Sequence, residues 1–121
     1  RCRKSARKYK KRAAAKEACR ALHKFARAYP VGQPRAWLYR GWYEWLDRRP
    51  AQARRAWEHG LAHAERLAMP YEQGLAHHEI GRHASGEERQ THLSRALEIF
   101  EQLGAAYDAE RARTQTAEIV R

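Results

Sequence analysis

The chain has 121 residues, of which 32% are charged and 43% hydrophobic, and its formal net charge is +11 at pH 7. This length is enough for one small domain and not for two, and two cysteines are too few for a disulfide scaffold. No apolar run approaches the length of a membrane span and no apolar core follows the basic start as in a signal peptide, so we expect a cytoplasmic protein.

Positive charge is concentrated at the start of the chain. Residues 1–28 hold twelve Lys or Arg and one acid, whereas residues 29–121 hold thirteen Arg and thirteen acids. We therefore divide the chain into a basic N-terminal arm or helix start, 1–17, and a body, 18–121. Because the sequence begins at Arg1 without an initiator Met, we expect it to be a segment of a larger protein.

Proline and glycine divide a helix-forming sequence into separate helices. The body is rich in Ala, Leu, Arg, Glu and Gln, and it lacks the alternating β-branched windows that are typical of strands. Pro50 suits the first turn of a helix and Gly104 suits a helix end. Ser85 and Glu88 match the spacing of a capping box. The sequence predicts an all-α fold with helices near 4–28, 34–47, 50–68, 71–84, 87–103 and 106–118.

Apolar residues at helical spacing indicate which side of the first helix is packed. Ala14, Ala18, Leu22, Phe25 and Tyr29 fall on one side of the helix near 4–28. The stripe is about one face wide, which is typical of a helix that is packed on one side and solvated on the other.

The sequence repeats at an offset of about forty residues. The pairs at this offset are Pro30 with Pro70, Ala36 with Ala76, Gly41 with Gly81, and Ala53, Trp57 and Gly60 with Leu93, Leu97 and Phe100. A two-helix unit cannot bury its apolar face alone, so the repeat predicts hairpins that stack on their neighbours. Gly41, Gly60 and Gly81 lie inside helices, where glycine costs about 1 kcal/mol relative to alanine, so we expect close helix–helix approach there.

Five residues carry a resemblance to the tetratricopeptide repeat. They are Trp37 and Gly41 in helix A, and Ala53, Trp57 and Gly60 in helix B. Residues 69–83 (MPYEQGLAHHEIGRH), followed by 92–93 and 96–105, resemble more specifically the C-terminal arrays of bacterial signalling proteins. Those proteins combine a protein kinase or an adenylate/guanylate cyclase domain with an AAA-type ATPase. The resemblance covers roughly 18–113 and implies a tetratricopeptide-like α-α superhelix of stacked antiparallel hairpins.

This resemblance implies a non-catalytic interaction or scaffolding segment. Its partner would be a protein or neighbouring domains of the same chain, with no cofactor and no small-molecule substrate. Such arrays display helix A on their concave side, and aromatic residues with Arg make good anchors there. The groove candidates are Arg35, Leu38, Trp42 and Trp45, with His78 and Arg82 as their counterparts in the next unit. Ordinary core packing remains the alternative for the tryptophans.

The basic start supports a second hypothesis, contact with nucleic acid or an anionic membrane through residues 1–28. The candidate residues are Lys4, Lys8, Lys10, Lys11 and Arg12. No recognition-helix motif accompanies them, so a solvated helix face is the competing interpretation.

The motifs for metal binding and catalysis are incomplete. His59 and His63 are four residues apart and share a helical face, but the sequence supplies no third and fourth ligand. His78 and His83 are five residues apart, whereas the helical metalloprotease motif needs four. The sequence has no Gly-rich phosphate loop and no Gly-x-Ser-x-Gly. We therefore expect neither a metal site nor catalytic residues in this segment.

Overall fold

The chain is all-α, as the sequence predicts. The computed structural model describes residues 2–117, with side chains from residue 7 on, and within that range it contains six α-helices and one 3-10 turn. The helices are α1 (Cys2–Ala28), α2 (Gln33–Leu46), α3 (Pro50–Arg66), α4 (Pro70–Arg82), α5 (Gly86–Leu103) and α6 (Ala106–Ala117), and the 3-10 turn is Pro30–Gly32. Within residues 2–117 the observed helix limits lie within two residues of the predicted ones, and the predicted end of the last helix, at 118, lies outside the described residues.

The chain forms two compact units, Arg1–Gly60 and Leu61–Arg121. The first contains α1, α2 and most of α3, and the second contains the end of α3 with α4, α5 and α6. Within each unit, consecutive helices pack on one another: α1 on α2 and α2 on α3 in the first, α4 on α5 and α5 on α6 in the second. Helix α1 runs unbroken through residue 17, so the basic arm and the following residues share one helix.

Prolines and a serine mark the starts of three helices. Pro50 and Pro70 are the first residues of α3 and α4, where a missing backbone N–H costs no intrahelical bond. Ser85 is the N-cap of α5 with an extended backbone, but its side chain makes no capping hydrogen bond. The predicted capping box therefore marks the start of α5 correctly, but the Ser85 side chain does not make the hydrogen bond to the helix backbone that a capping box requires.

Left-handed residues end α2, α3 and α5 in the same way. Arg48, Ala68 and Gly104 have φ angles of 61°, 51° and 70°. In all three turns the next residue donates its backbone N–H to the carbonyl five residues earlier, over 2.8 to 2.9 Å. These turns are left-handed C-caps, which satisfy carbonyls that the helix end leaves unpaired.

Small residues allow α2 and α3 to approach closely in the first unit. A Cβ atom on Gly41 would overlap the indole of Trp57, and one on Gly60 would lie 3.2 Å from the Pro34 carbonyl oxygen. The buried Trp57 also donates its indole N–H to the Leu38 carbonyl over 3.2 Å. The close approach expected at Gly41 and Gly60 is confirmed, and the helices gain packing that offsets the low helix propensity of glycine.

The second unit contains a hairpin with the same internal register. Cβ atoms on Gly74 and Gly81 would lie 2.6 Å and 2.9 Å from the nearest side-chain atoms of Phe100 and Leu93. The pair Gly74–Phe100 is the pair Pro34–Gly60 moved forty residues along the chain, with the large and small residues exchanged. Each hairpin therefore pairs its helices in the register that the forty-residue offset predicts.

The packed side of α1 differs from the predicted stripe. From residue 7 on, where side chains are described, the buried residues of α1 are Cys19 and Ala26, whereas Phe25 and Tyr29 are 48% and 58% exposed. The packed side is rotated by one residue, or about 100° around the helix axis. This rotation turns a different set of cationic side chains towards α2.

Candidate partner and polyanion surfaces

Four of the predicted groove residues lie on α2. Trp42 and Trp45 are 36% and 42% exposed, and Arg35 is half-buried. Leu38 is only 4% exposed, and its carbonyl accepts the hydrogen bond from Trp57. Leu38 is therefore a core residue of the first unit and is removed from the set of partner-binding candidates.

The exposed tryptophans belong to a wider aromatic face of α2, which we define as Tyr39, Trp42, Trp45 and Leu46. The ring centroids of Tyr39 and Trp42 are 4.9 Å apart, and those of Trp45 and the buried Trp57 are 6.4 Å apart. Leu46 is 39% exposed. Ring contacts thus restrain the two tryptophans while part of each remains accessible, which is typical of an interaction surface rather than a closed core.

The predicted counterparts in the second unit do not form an equivalent face. His78 is 3% exposed, and neither of its ring nitrogens has a hydrogen-bond partner among the described residues. Burial, and then the nearby Arg111, lower the pKa of His78 to about 4. Arg82 is half-buried, and its Nη1 lies 3.5 Å from Oε1 of the buried Glu79. His78 is therefore a neutral interior residue and not part of a groove that a partner can reach.

The basic candidates near the start of α1 have different surroundings. Lys8, Lys10 and Lys11 are exposed. Arg12 donates a hydrogen bond to Asp47 and forms an ion pair with it, and this hydrogen bond holds the pKa of Asp47 below its ordinary value. The side chain of Lys4 lies outside the described residues. Arg12 therefore ties α1 to the end of α2, and Lys8, Lys10 and Lys11 remain as solvated cations.

A groove of about 860 Å³ lies between α1 and α2 in the first unit. We call it the basic groove, because five of its lining residues are cationic and none is acidic. The cations are Lys16, Arg20, Lys24, Arg27 and Arg40, and the other lining residues are Cys19, His23, Gln33, Trp37 and Tyr43. The groove therefore combines concentrated positive charge with three side chains that carry π systems.

The charge of the basic groove is largely uncompensated. Lys16, Arg20, Lys24 and Arg27 have no ion-pair or hydrogen-bond partner among the residues whose side chains are described. The fifth cation, Arg40, lies 3.3 Å from Oε1 of the buried Glu44. This ion pair offsets part of the cost of burying the Glu44 carboxylate, which is 3% exposed. Four free cations leave the groove suited to an anion.

Sequence reasoning missed the basic groove, although a signal for it exists. Lys16, Arg20 and Lys24 recur every four residues, and Arg27 follows three residues later. Side chains at this spacing share one face of a helix. The run of cations at residues 1–12 is denser, so charge density alone favours that segment over the stripe that faces α2.

The groove does not contain an activated nucleophile. Cys19 is 5% exposed, and its burial raises the pKa of the thiol. The thiolate, which is the reactive form, is therefore disfavoured at neutral pH. Burial, followed by Arg40 and Arg27, lowers the pKa of His23. Among the described residues no three His, Cys, Asp or Glu side chains are grouped so as to hold a metal ion.

The helices are also too polar or too short to cross a bilayer, over the part of the chain that the structure describes. Comparison of the chain with protein-family models, curated proteins and solved structures found no match. Proposals about its family and function therefore rest on its own residues and geometry.

Proposed function

We propose that this chain is a tetratricopeptide-like repeat segment of a bacterial, cytoplasmic signalling protein. It binds a protein partner, or a neighbouring domain of the same chain, and is not catalytic by itself. The observation that carries this proposal is the exposed aromatic face of α2, where Trp42 and Trp45 are 36% and 42% exposed.

The two hairpins support the tetratricopeptide-like part of the proposal. Each pairs two antiparallel helices in one register, and each uses small residues in helix A to receive a large side chain from helix B. A unit of this size has little core of its own, so it depends on adjacent units for stability. Repeats of this kind present large surfaces that recognise extended protein segments.

Burial of the aromatic face supplies a driving force for association. A tryptophan offers roughly 250 Å² of surface, so the exposed parts of Trp42 and Trp45 together amount to roughly 200 Å². At about 25 cal/mol per Å², covering them is worth about 5 kcal/mol before the entropy of association is subtracted. Tryptophan and arginine are the residues most enriched in binding hot spots, which makes Arg35 beside this face a reasonable third contact.

The experiment replaces Trp42 and Trp45 by Ala in the protein that contains this segment. In a separate variant, a photo-reactive phenylalanine replaces Trp42 or Trp45 and is crosslinked in cells. Mass spectrometry then identifies the protein to which it has become attached. We expect crosslinks to one protein, or to one other domain of the same chain. Co-purification of that protein should fall by tenfold or more in the Trp42→Ala/Trp45→Ala variant, about 1.4 kcal/mol or more.

The matched control uses Tyr107, an aromatic residue of α6 that is 76% exposed. Tyr107→Ala removes a comparable exposed ring from the second unit and should leave the interaction unchanged. Far-UV circular dichroism checks that each variant keeps its helices. Equal loss from both variants, or crosslinks spread over many unrelated proteins, would contradict a specific partner surface on α2.

A further inference from the structure

We propose that the basic groove between α1 and α2 binds single-stranded nucleic acid, an activity separate from partner binding at the aromatic face. The groove residues on α2 include Trp37, and Trp42 lies five residues later, about 140° further around the helix. The two surfaces adjoin, because Tyr43 of the groove lies one helical turn from Tyr39 of the aromatic face. Trp42 and Trp45 do not line the groove, so substitutions there test the aromatic face without changing the groove lining.

The cations of α1 form a row along the groove. Lys16, Arg20, Lys24 and Arg27 succeed one another at about one helical turn, so the row is about 16 Å long. All four side chains are exposed and unpaired among the described residues. A polyanion that follows the groove would meet a cation at every turn, and each neutralised phosphate releases condensed counterions.

The groove wall supplies surfaces for bases as well as charge. Tyr43 and Trp37 are half-buried and line the groove. The Trp37 indole is fixed, because it donates to Gln33 over 3.1 Å and stacks on His59 with centroids 4.8 Å apart. Aromatic residues beside a cationic track are the arrangement with which proteins hold single strands, since unpaired bases stack on rings while the phosphates meet Lys and Arg.

The shape and lining of the groove favour this ligand over other anions. A membrane surface is flat and cannot enter a recess between two helices. An acidic peptide would satisfy the cations, but it has no regular succession of flat bases to stack on Tyr43, the aromatic residue of the groove whose ring is not engaged by His23 or His59. A duplex keeps its bases stacked inside, so only its phosphates could use the groove.

The first test measures binding of a fluorescein-labelled oligothymidine of about twenty nucleotides by anisotropy, a length that spans one or more sites of this kind. Two double variants of the full chain remove the same charge from α1. Arg20→Gln/Lys24→Gln lies in the groove, and Lys10→Gln/Lys11→Gln lies on exposed positions outside it. We expect roughly tenfold weaker binding for the groove variant and about twofold for the other, since non-specific attraction depends on total charge.

The salt dependence gives a second readout from the same variants. Each phosphate contact to a single strand contributes about −0.7 to the slope of log K against log salt concentration, so the groove variant should have a slope shallower by about 1.4. If Arg20→Gln/Lys24→Gln lowers helicity, Lys16→Gln/Arg27→Gln removes the other two cations and serves in its place. Equal losses and equal slopes for groove and non-groove variants would overturn the proposal.

The contribution of the bases is tested with an abasic oligonucleotide of the same length and with poly-glutamate. Tyr43→Leu should weaken thymidine-strand binding by about fivefold or more, and should not change binding of the abasic strand. If the abasic strand binds as tightly as the normal one, the bases do not contribute and the proposal of a single-strand site is wrong. If poly-glutamate of equal charge competes as well as the oligonucleotide, the groove accepts an acidic segment and the proposal is also wrong. Trp42→Ala/Trp45→Ala should leave oligonucleotide binding intact, so failure here is distinct from failure at the aromatic face.

Discussion

The imidazole of His78 shows how a buried residue can couple stability to pH. It is 3% exposed, and neither ring nitrogen has a partner among the described residues. Burial is the largest cause that lowers its pKa to about 4, with Arg111, Arg82, His83 and Arg89 adding like charge. In the unfolded chain an ordinary histidine has a pKa near 6.5. Between these two values the unfolded state binds the proton more readily than the folded state.

The sign of the effect follows from that difference. Above about pH 6.5 the imidazole is neutral in both states and costs no protonation energy. As the pH falls towards 4, the His78 imidazole is protonated in the unfolded state but stays neutral in the folded state, so the free energy of unfolding decreases. At pH 5 the loss from His78 alone is about 2 kcal/mol.

Replacement of His78 by Leu should remove this pH dependence. Leucine fills a similar volume and has no polar atom to leave unpaired, so we expect His78→Leu to be at least as stable as the native chain at pH 7.5. At pH 5 it should be more stable by about 2 kcal/mol. Urea unfolding followed by circular dichroism at both pH values measures the two differences. A variant that loses as much stability on acidification as the native chain would show that His78 is not the proton acceptor.

At the scale of the helices, the sequence predicts where each helix begins and ends, but it does not predict which side of α1 packs against α2. Pro50 begins α3, because proline lacks the N–H that the first turn of a helix leaves unpaired, and Gly104 ends α5, because glycine adopts a left-handed backbone at no cost. The sequence predicts Met69-Pro70 only as the end of the preceding helix, and Pro70 is in fact the first residue of α4. The packed side of α1 was misplaced by one residue. Phe25 and Tyr29 gave the clearest apolar periodicity, yet Cys19 and Ala26 are buried, since small residues permit the approach of α2.

That rotation also explains why the candidate site was only partly predictable. Trp42 and Trp45 are partly exposed, because a helix that is apolar on several sides cannot bury all of them, and whether they bind a partner stays a prediction. The basic groove depends on which side of α1 faces α2, and a single sequence does not reveal it. The forty-residue offset alone makes His78 a groove candidate, and this offset does not show that α4 packs on α5 and on the core that α5 and α6 share in the second unit.

The left-handed turns give a prediction for the helix ends. Ala68 has a φ of 51°, where a side chain costs roughly 1 kcal/mol and glycine costs nothing, whereas Gly104 already occupies the same conformation with a φ of 70°. We expect Ala68→Gly to stabilise the protein by about 0.5–1 kcal/mol and Gly104→Ala to destabilise it by a similar amount. For a chain of this length these changes correspond to melting-temperature shifts of a few degrees in opposite directions.

The two substitutions act as controls for each other. Both exchange the same residue types at exposed turns, and a Cβ atom on Gly104 would meet nothing within 4 Å, so packing does not contribute there. If Ala68→Gly lowers the melting temperature while Gly104→Ala also lowers it, glycine relieves no strain at position 68 and the turn there is not a left-handed cap in solution.

Across the whole molecule, charge is divided unequally between the two units. Arg1–Gly60 contains eighteen Lys and Arg against four acids, a net charge of +14, and Leu61–Arg121 contains seven Arg against ten acids, a net charge of −3. Self-repulsion of like charge opposes a compact state. This repulsion is greatest in α1, where the pairs Arg7–Lys11 and Lys8–Arg12 are four residues apart on the same side of the helix. No acid lies in the first turn, so the positive end of the helix dipole adds to the repulsion.

Salt should therefore stabilise the first unit selectively. Raising the NaCl concentration from about 10 mM to about 500 mM shortens the screening length from roughly 30 Å to a few ångströms, which suppresses repulsion between neighbouring turns. We expect amide hydrogen exchange in residues 8–28 to slow several-fold, and exchange in α5 of the second unit to change little. Lys11→Gln should reproduce part of this protection at low salt, because it removes one repulsive pair. Arg95→Gln, which removes an exposed arginine from the acidic unit, should give α1 no protection. If protection rises equally in α1 and α5, a general salt effect on hydration is responsible, and repulsion within α1 is too weak to matter.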